Sequence, residues 1–160
     1  MRILILGAGA LGGYFGGRLH QAGLDPSFLV RPGRAAMLAR DGLKITSSLG
    51  DYQAKVTTIT PEALHPGWDL LILTCKAYDL GDAMETIRPA VDARTAILPV
   101  PHGISHTEAR QRASGAERAP GGFAKIQASL APDGTIRHLN DWRWLTFGEV
   151  AGGMGARVER

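Results

Sequence analysis

The chain has one cysteine, Cys75, in 160 residues. No intrachain disulfide framework can staple it, and a reducing, cytoplasmic setting fits best. It lacks any apolar run near the roughly 20 residues that a membrane helix needs. The apolar start, Ile3-Leu4-Ile5-Leu6, is too short for a signal peptide and passes straight into glycine, so it reads as a strand. Charge of one sign is scarce, since 18 Lys and Arg against 15 Asp and Glu leave only +3. No basic tract with interleaved aromatics occurs, which argues against a nucleic-acid partner. Hydrophobic residues at 44% and charged residues at 21% describe a globular domain rather than a disordered chain.

What the chain does have is 21 glycines and a regular alternation of apolar runs with helical patterns. Residues 2–6 read as a buried strand, and apolar positions from Ala10 to Ala22 recur at helical spacing up to Gly23. Phe28-Leu29-Val30 reads as a second strand, and 35–40 as a short helix. Residues 43–47, 53–59, 69–74 and 95–100 read as strands, and 80–91 as a helix. That order predicts an α/β fold with a doubly wound, mostly parallel sheet through about residue 113. Beyond Gly121 the period changes. Residues 123–130, the turn Ala131-Pro132-Asp133-Gly134 and 135–139 predict a β-hairpin, with 144–147 as a further strand that extends the sheet in antiparallel fashion. Residues 1–150 thus read as one domain, with 151–160 as a flexible end.

Gly7-Ala8-Gly9-Ala10-Leu11-Gly12 fits G-x-G-x-x-G. The pattern alone is weak in so glycine-rich a chain. Here it follows a strand and opens a helix, the context of the Rossmann dinucleotide fingerprint. Gly7 permits the tight turn, Gly9 lets backbone approach a pyrophosphate, and Gly12 lets helix and strand pack closely. The helix N-terminus then presents amides and a positive dipole end to the phosphates. A glycine turn without a ligand is the plainer alternative.

An absence also points to the cofactor. NAD-binding domains carry Asp or Glu about 20 residues past the glycines, on the ribose 2′-hydroxyl. Here the second strand ends Val30-Arg31-Pro32-Gly33-Arg34, with no acid. A guanidinium can pair with a 2′-phosphate bidentately, where a carboxylate would repel it. Arg31 therefore predicts NADP(H), the alternative being that Arg31 and Arg34 only solvate a loop.

These segments together resemble ketopantoate reductase, the 2-dehydropantoate 2-reductase family. The matching pieces are residues 3–16, Phe28-Leu29-Val30-Arg31, Thr74-Cys75-Lys76-Ala77-Tyr78-Asp79 and Leu145-Thr146-Phe147-Gly148-Glu149. The resemblance implies NADPH-dependent reduction of ketopantoate to pantoate, a step toward pantothenate and coenzyme A. It implies that Gly7, Ala8, Gly9, Ala10, Leu11, Gly12 and Arg31 bind the cofactor, with Lys76 near its ribose and phosphates. A surface lysine at a helix start is the plain reading of Lys76.

Two departures stand out. Where the family has Asn-Gly after the strand Ile97-Leu98-Pro99-Val100, this chain has Pro101-His102-Gly103. His102 could contact nicotinamide or substrate in place of that Asn, mark a different substrate, or mark lost function. The family also has a second, all-helical domain that supplies the general-acid lysine and substrate-holding residues. These 160 residues lack it, and neither Lys44 nor Lys125 sits in a segment that could replace that lysine. No catalytic residue is therefore assigned within the chain.

Three readings follow: the cofactor half of a ketopantoate-reductase-like enzyme that is inactive alone, a non-catalytic NADP-binding module, or a reductase half for another 2-oxo acid. Cys75 reads as a core thiol rather than a nucleophile. His102 and His106 lack the further ligands of a metal site, and Trp68, Trp142 and Trp144 read as packing or edge residues. Apolar surface that a second domain would cover predicts self-association or instability.

Overall fold

The computed structural model describes residues 1–76, 79–100 and 121–148. Ile3–Leu6 (β1), Ser27–Leu29 (β2), Thr58–Ile59 (β5), Leu70–Leu73 (β6) and Ala96–Pro99 (β7) form one sheet in the order β5-β2-β1-β6-β7. Every pairing in it is parallel. This is the order 3-2-1-4-5 of a doubly wound nucleotide-binding sheet. β1 is Ile-Leu-Ile-Leu because both its faces are covered. Ile3 and Ile5 enter one core cluster and Leu4 the other.

The remaining strands, Leu43–Ser47 (β3), Tyr52–Ala54 (β4), Gly121–Leu130 (β8) and Ile136–Gly148 (β9), make a second, mixed sheet ordered β4-β3-β9-β8. β3 and β9 run parallel, while the outer pairs are antiparallel. The predicted hairpin is present, but it builds this second sheet instead of lengthening the first. The predicted strand 53–59 is two strands, one in each sheet. The predicted strands 135–139 and 144–147 are one continuous β9.

Helix Ala10–Gln21 (α1) lies between the two sheets, and its glycines explain how. A Cβ on Gly16 would lie 2.5 Å from Ile5 and Phe28 of the parallel sheet. A Cβ on Gly17 would lie 2.6 Å from Ile45 and 2.7 Å from Leu43, and one on Gly13 2.4 Å from Ile136, all in the mixed sheet. Pairs four residues apart share a helix face. Gly12 and Gly16 therefore give one smooth stripe, Gly13 and Gly17 another, and each sheet rests on its own stripe.

Helix Pro32–Asp41 (α2) follows β2, and helix Leu80–Ile87 (α3) covers the opposite face of the parallel sheet with Trp68. Trp68 is buried, its indole N–H donating to the His65 carbonyl at 2.8 Å. No all-helical domain lies among the described residues, and none of their helices is long and apolar enough to cross a membrane. The expected domain end near residue 150 falls outside the described residues.

Candidate cofactor site

In the parallel sheet the chain leaves β1 toward β2 on one side and reaches β6 on the other. The crevice beyond the carboxyl ends of β1 and β6 is thus the topological switch point where ligands of such sheets bind. The loop after β1 is Gly7-Ala8-Gly9, and the segment after β6 is Thr74-Cys75-Lys76.

The three glycines of the motif meet three different demands. Gly7 has φ +94°, a left-handed turn that side chains resist, and its N–H donates to the Leu29 carbonyl at 2.9 Å. Among the described residues a Cβ on Gly9 would meet nothing within 4 Å, so the backbone there leaves room that a ligand can enter. A Cβ on Gly12 would sit 2.3 Å from the Gly7 carbonyl oxygen and 2.5 Å from Thr74 Oγ1. Only glycine lets the helix start so close to the strand end. Thr74 Oγ1 in turn donates to the Leu6 carbonyl at 2.8 Å, tying the ends of β1 and β6 together.

Among the described residues no side chain caps the α1 N-terminus, and its first turn holds no acid. Its leading amides are the unpaired donors that a phosphate can take up. Ala8, Leu11 and Gly12 are buried, and Ala10 is half-buried, so the loop presents backbone more than side chain. These features fit a dinucleotide.

Arg31 is the residue that caps α2, with extended backbone, and its side chain is exposed. It stands two residues beyond Leu29, the β2 residue bonded to Gly7, so it flanks the glycine loop. The first turn of α2 is also free of acid. Lys76 is exposed, three residues past the end of β6. Its carbonyl accepts from the Asp79 N–H at 3.0 Å as the chain turns toward α3. Cys75 is half-buried, and burial raises its thiol pKa, with the Asp79 carboxylate adding to the effect. That favours the protonated thiol and agrees with a core role. His102 and His106 lie outside the described residues, as do Ala77, Tyr78 and Glu149. Among the described residues no group of His, Cys, Asp and Glu could hold a metal.

Sequence reasoning missed two contributors. Thr74 carried no signal beyond its place at the end of an apolar strand and at the start of the Thr74–Asp79 resemblance. Arg34 read as a twin of Arg31, yet its side chain turns inward. Its Nε and Nη2 donate to the Ala8 carbonyl at 3.1 and 2.9 Å, and Nη2 also donates to the Gly134 carbonyl at 3.2 Å. Burial lowers its pKa, although a guanidinium remains charged in proteins. A separate cleft of about 380 Å³, lined by Tyr14, Phe15, Arg18, Gln21, Ala22 and Arg143, lies toward the far end of α1. It shares no residue with the glycine loop, whose surroundings rather than this cleft carry the phosphate-binding features.

Residues 3–152 match the family model of ketopantoate reductase PanE/ApbA. The chain belongs to that family. An uncharacterized oxidoreductase, YkpB of Bacillus subtilis, is 36% identical over 164 aligned positions, covering 100% of this chain and 52% of the relative. The crystal structure of a 2-dehydropantoate 2-reductase from Geobacter metallireducens superposes with a TM-score of 0.86 at 35% identity, over 99% of this chain and 52% of that one. A D-mandelate dehydrogenase solved with NADH and anilino(oxo)acetate superposes with a TM-score of 0.77 at 25% identity, over 88% of this chain and 46% of that one. The chain spans about half the length of the curated relatives it matches. Family and neighbours together indicate that the domain binds NAD(P)H.

Proposed function

We propose that this domain holds NADPH, in preference to NADH, as hydride donor for reduction of a 2-oxo acid, with ketopantoate as the substrate and pantoate as the product. The reading rests chiefly on Arg31, a cation without a competing acid, at the strand tip beside a glycine loop open at Gly9. A charge-assisted hydrogen bond contributes about 1.5–3 kcal/mol, roughly a 10- to 150-fold preference for the phosphorylated dinucleotide.

NADPH supplies the hydride to the keto carbon. This chain's part is to bind and orient it. The Gly7–Gly12 backbone takes the pyrophosphate, Arg31 the 2′-phosphate, and Lys76 the ribose and phosphates, with His102 proposed at the nicotinamide end. The proton for the keto oxygen comes, by family resemblance, from a lysine in the helical domain. General acid catalysis is typically worth about 10²–10⁴-fold, so the 160 residues by themselves bind cofactor but turn over very slowly. The single cysteine fits a cytoplasmic setting.

Titrating the chain with NADPH, then adding ketopantoate with and without a helical half from a relative, tests this. Saturable NADPH binding and NADPH oxidation only in the complemented mixture are expected. Binding without turnover under any complementation would favour a non-catalytic module. The D-mandelate dehydrogenase neighbour supports a second reading, another 2-oxo acid as substrate. Turnover of other 2-oxo acids but not ketopantoate would establish it.

A further inference from the structure

Arg34 is 26 residues from Ala8 and 100 residues from Gly134 in sequence, yet its guanidinium donates to the carbonyls of both. The Ala8 carbonyl belongs to the same peptide unit as the Gly9 N–H. The described peptides contain no cis bond, and in a trans peptide the C=O and N–H bonds point in opposite directions, so that their dipoles add. A cation fixed on the Ala8 oxygen therefore fixes the direction of the Gly9 N–H and polarises it as a donor. Among the described residues nothing lies within 4 Å of a Cβ built on Gly9.

The other end of the bridge is built to receive the guanidinium. Gly134 is buried, has φ +82°, and a Cβ there would lie 2.5 Å from Arg34 Nη1. Its turn is held by bonds from the Gly134 N–H to the Ala131 carbonyl and from the Ala131 N–H to the Thr135 carbonyl, both 2.9 Å. The Thr135 N–H also donates to Asp133 Oδ1 at 3.0 Å.

We propose that Arg34 is a positioning residue of the dinucleotide site, locking the Ala8–Gly9 peptide against the 131–134 turn and making that turn part of the cofactor-binding apparatus. This rests on the glycine loop being the dinucleotide site. Two donors of the fork are committed to carbonyls, so Arg34 supports both NADPH and NADH, whereas Arg31 distinguishes them.

Calorimetric titration of the full chain with NADPH and with NADH, beside amide exchange at Gly9, tests the proposal. Arg34→Met is expected to weaken both dinucleotides by about tenfold with their ratio unchanged, and to speed Gly9 exchange in the free chain. Arg34→Lys keeps the charge but not the fork, so most of the loss should persist. Gly134→Ala should reproduce the loss from outside the loop by displacing the guanidinium. The proposal is overturned if Arg34→Met, still folded by circular dichroism, binds both dinucleotides like wild type. It is overturned also if lysine restores full affinity, or if only NADPH is weakened, which would give Arg34 to the 2′-phosphate. If the wild-type chain binds neither dinucleotide, the glycine-loop reading falls and this inference with it. Loss confined to the variant arms tests the bridge alone.

Discussion

At the scale of single residues, the proposed cofactor site has in Arg31 a part that would discriminate and in Gly12 a part that would merely admit. Arg31 is exposed and among the described residues no hydrogen bond requires its side chain, so Arg31→Ala should leave the melting temperature within a degree or two. Its effect belongs to the ligand. NADPH affinity should drop by roughly tenfold or more, while NADH affinity stays nearly constant. Equal losses for the two dinucleotides in parallel titrations would remove Arg31 from the 2′-phosphate. Gly12 has the opposite character. A methyl group there would meet the Gly7 carbonyl oxygen at 2.3 Å, and that oxygen is backbone with nowhere to go. Gly12→Ala should therefore push α1 away from β1, costing on the order of 1–3 kcal/mol of stability and abolishing measurable binding of either dinucleotide. A variant that melts and binds like wild type would refute the close approach.

Among the elements, α1 sets two effects against each other. Glycine in a helix interior is less favourable than alanine by about 0.5–1 kcal/mol. Propensity alone would thus make Gly16→Ala stabilising. Packing predicts the reverse, because the new Cβ would sit 2.5 Å from the Phe28 ring and the Ile5 side chain, both fully buried. Overpacking of that kind costs typically 1–3 kcal/mol. Denaturant unfolding should show net destabilisation, and a stabilised variant would mean that α1 is not wedged between the sheets. This sandwiching was hidden in the sequence, where Gly12 reads as the last glycine of the phosphate motif and nothing marks Gly13, Gly16 and Gly17 as contact points.

The parallel sheet itself was largely legible, because strands covered on both faces read as uninterrupted aliphatic runs. Sheet membership was not. Residues 53–59 look like one β-favouring segment, but β4 pairs antiparallel with β3 and β5 parallel with β2. The intervening Lys55-Val56-Thr57 carries the chain from one sheet to the other, and no local propensity records that. Polar Asn140-Asp141 read as a break between strands. Instead, Asn140 Oδ1 accepts from the Gln127 N–H at 3.3 Å and the Trp142 N–H at 3.2 Å. A side chain stands in for a ladder acceptor where the β8–β9 register shifts, so β9 continues. At the site, the glycine motif and the missing acid were readable because each has a local spacing rule. The Arg34 bridge was not, since one of its partners lies 100 residues away.

For the molecule as a whole, the β8–β9 ribbon has two unlike faces. Ala124 is buried, and Ile126 and Leu145 pack against the core beside α1. Phe123, Lys125, Trp142 and Trp144 share the opposite face, with Lys125 Nζ 4.1 Å from the Trp142 ring centroid and 5.9 Å from that of Trp144. On this face Trp144 is 65% exposed, Trp142 52% and Phe123 45%. Among the described residues β8 is also the outer strand of its sheet, and an outer strand with exposed aromatics is a template for pairing with another chain. A second copy is the occupant we expect for the 160 residues alone, because two β8 strands related by a two-fold axis present the same self-complementary surface. Each Trp side chain buries about 150–250 Å² when covered, so loss of one should be visible in the association constant. Trp144→Ser is therefore expected to shift sedimentation equilibrium toward monomer by at least tenfold in dissociation constant, with NADPH affinity unchanged because Trp144 lies on the ribbon face opposite the one packed on the core. Adding the helical half of a relative serves as a second arm. If that half covers the same face, it should abolish self-association as it restores turnover. If it leaves the dimer intact, the aromatic face joins copies and the helical half docks elsewhere. A wild-type chain that sediments as a monomer at every concentration would show that these exposed rings hold no partner.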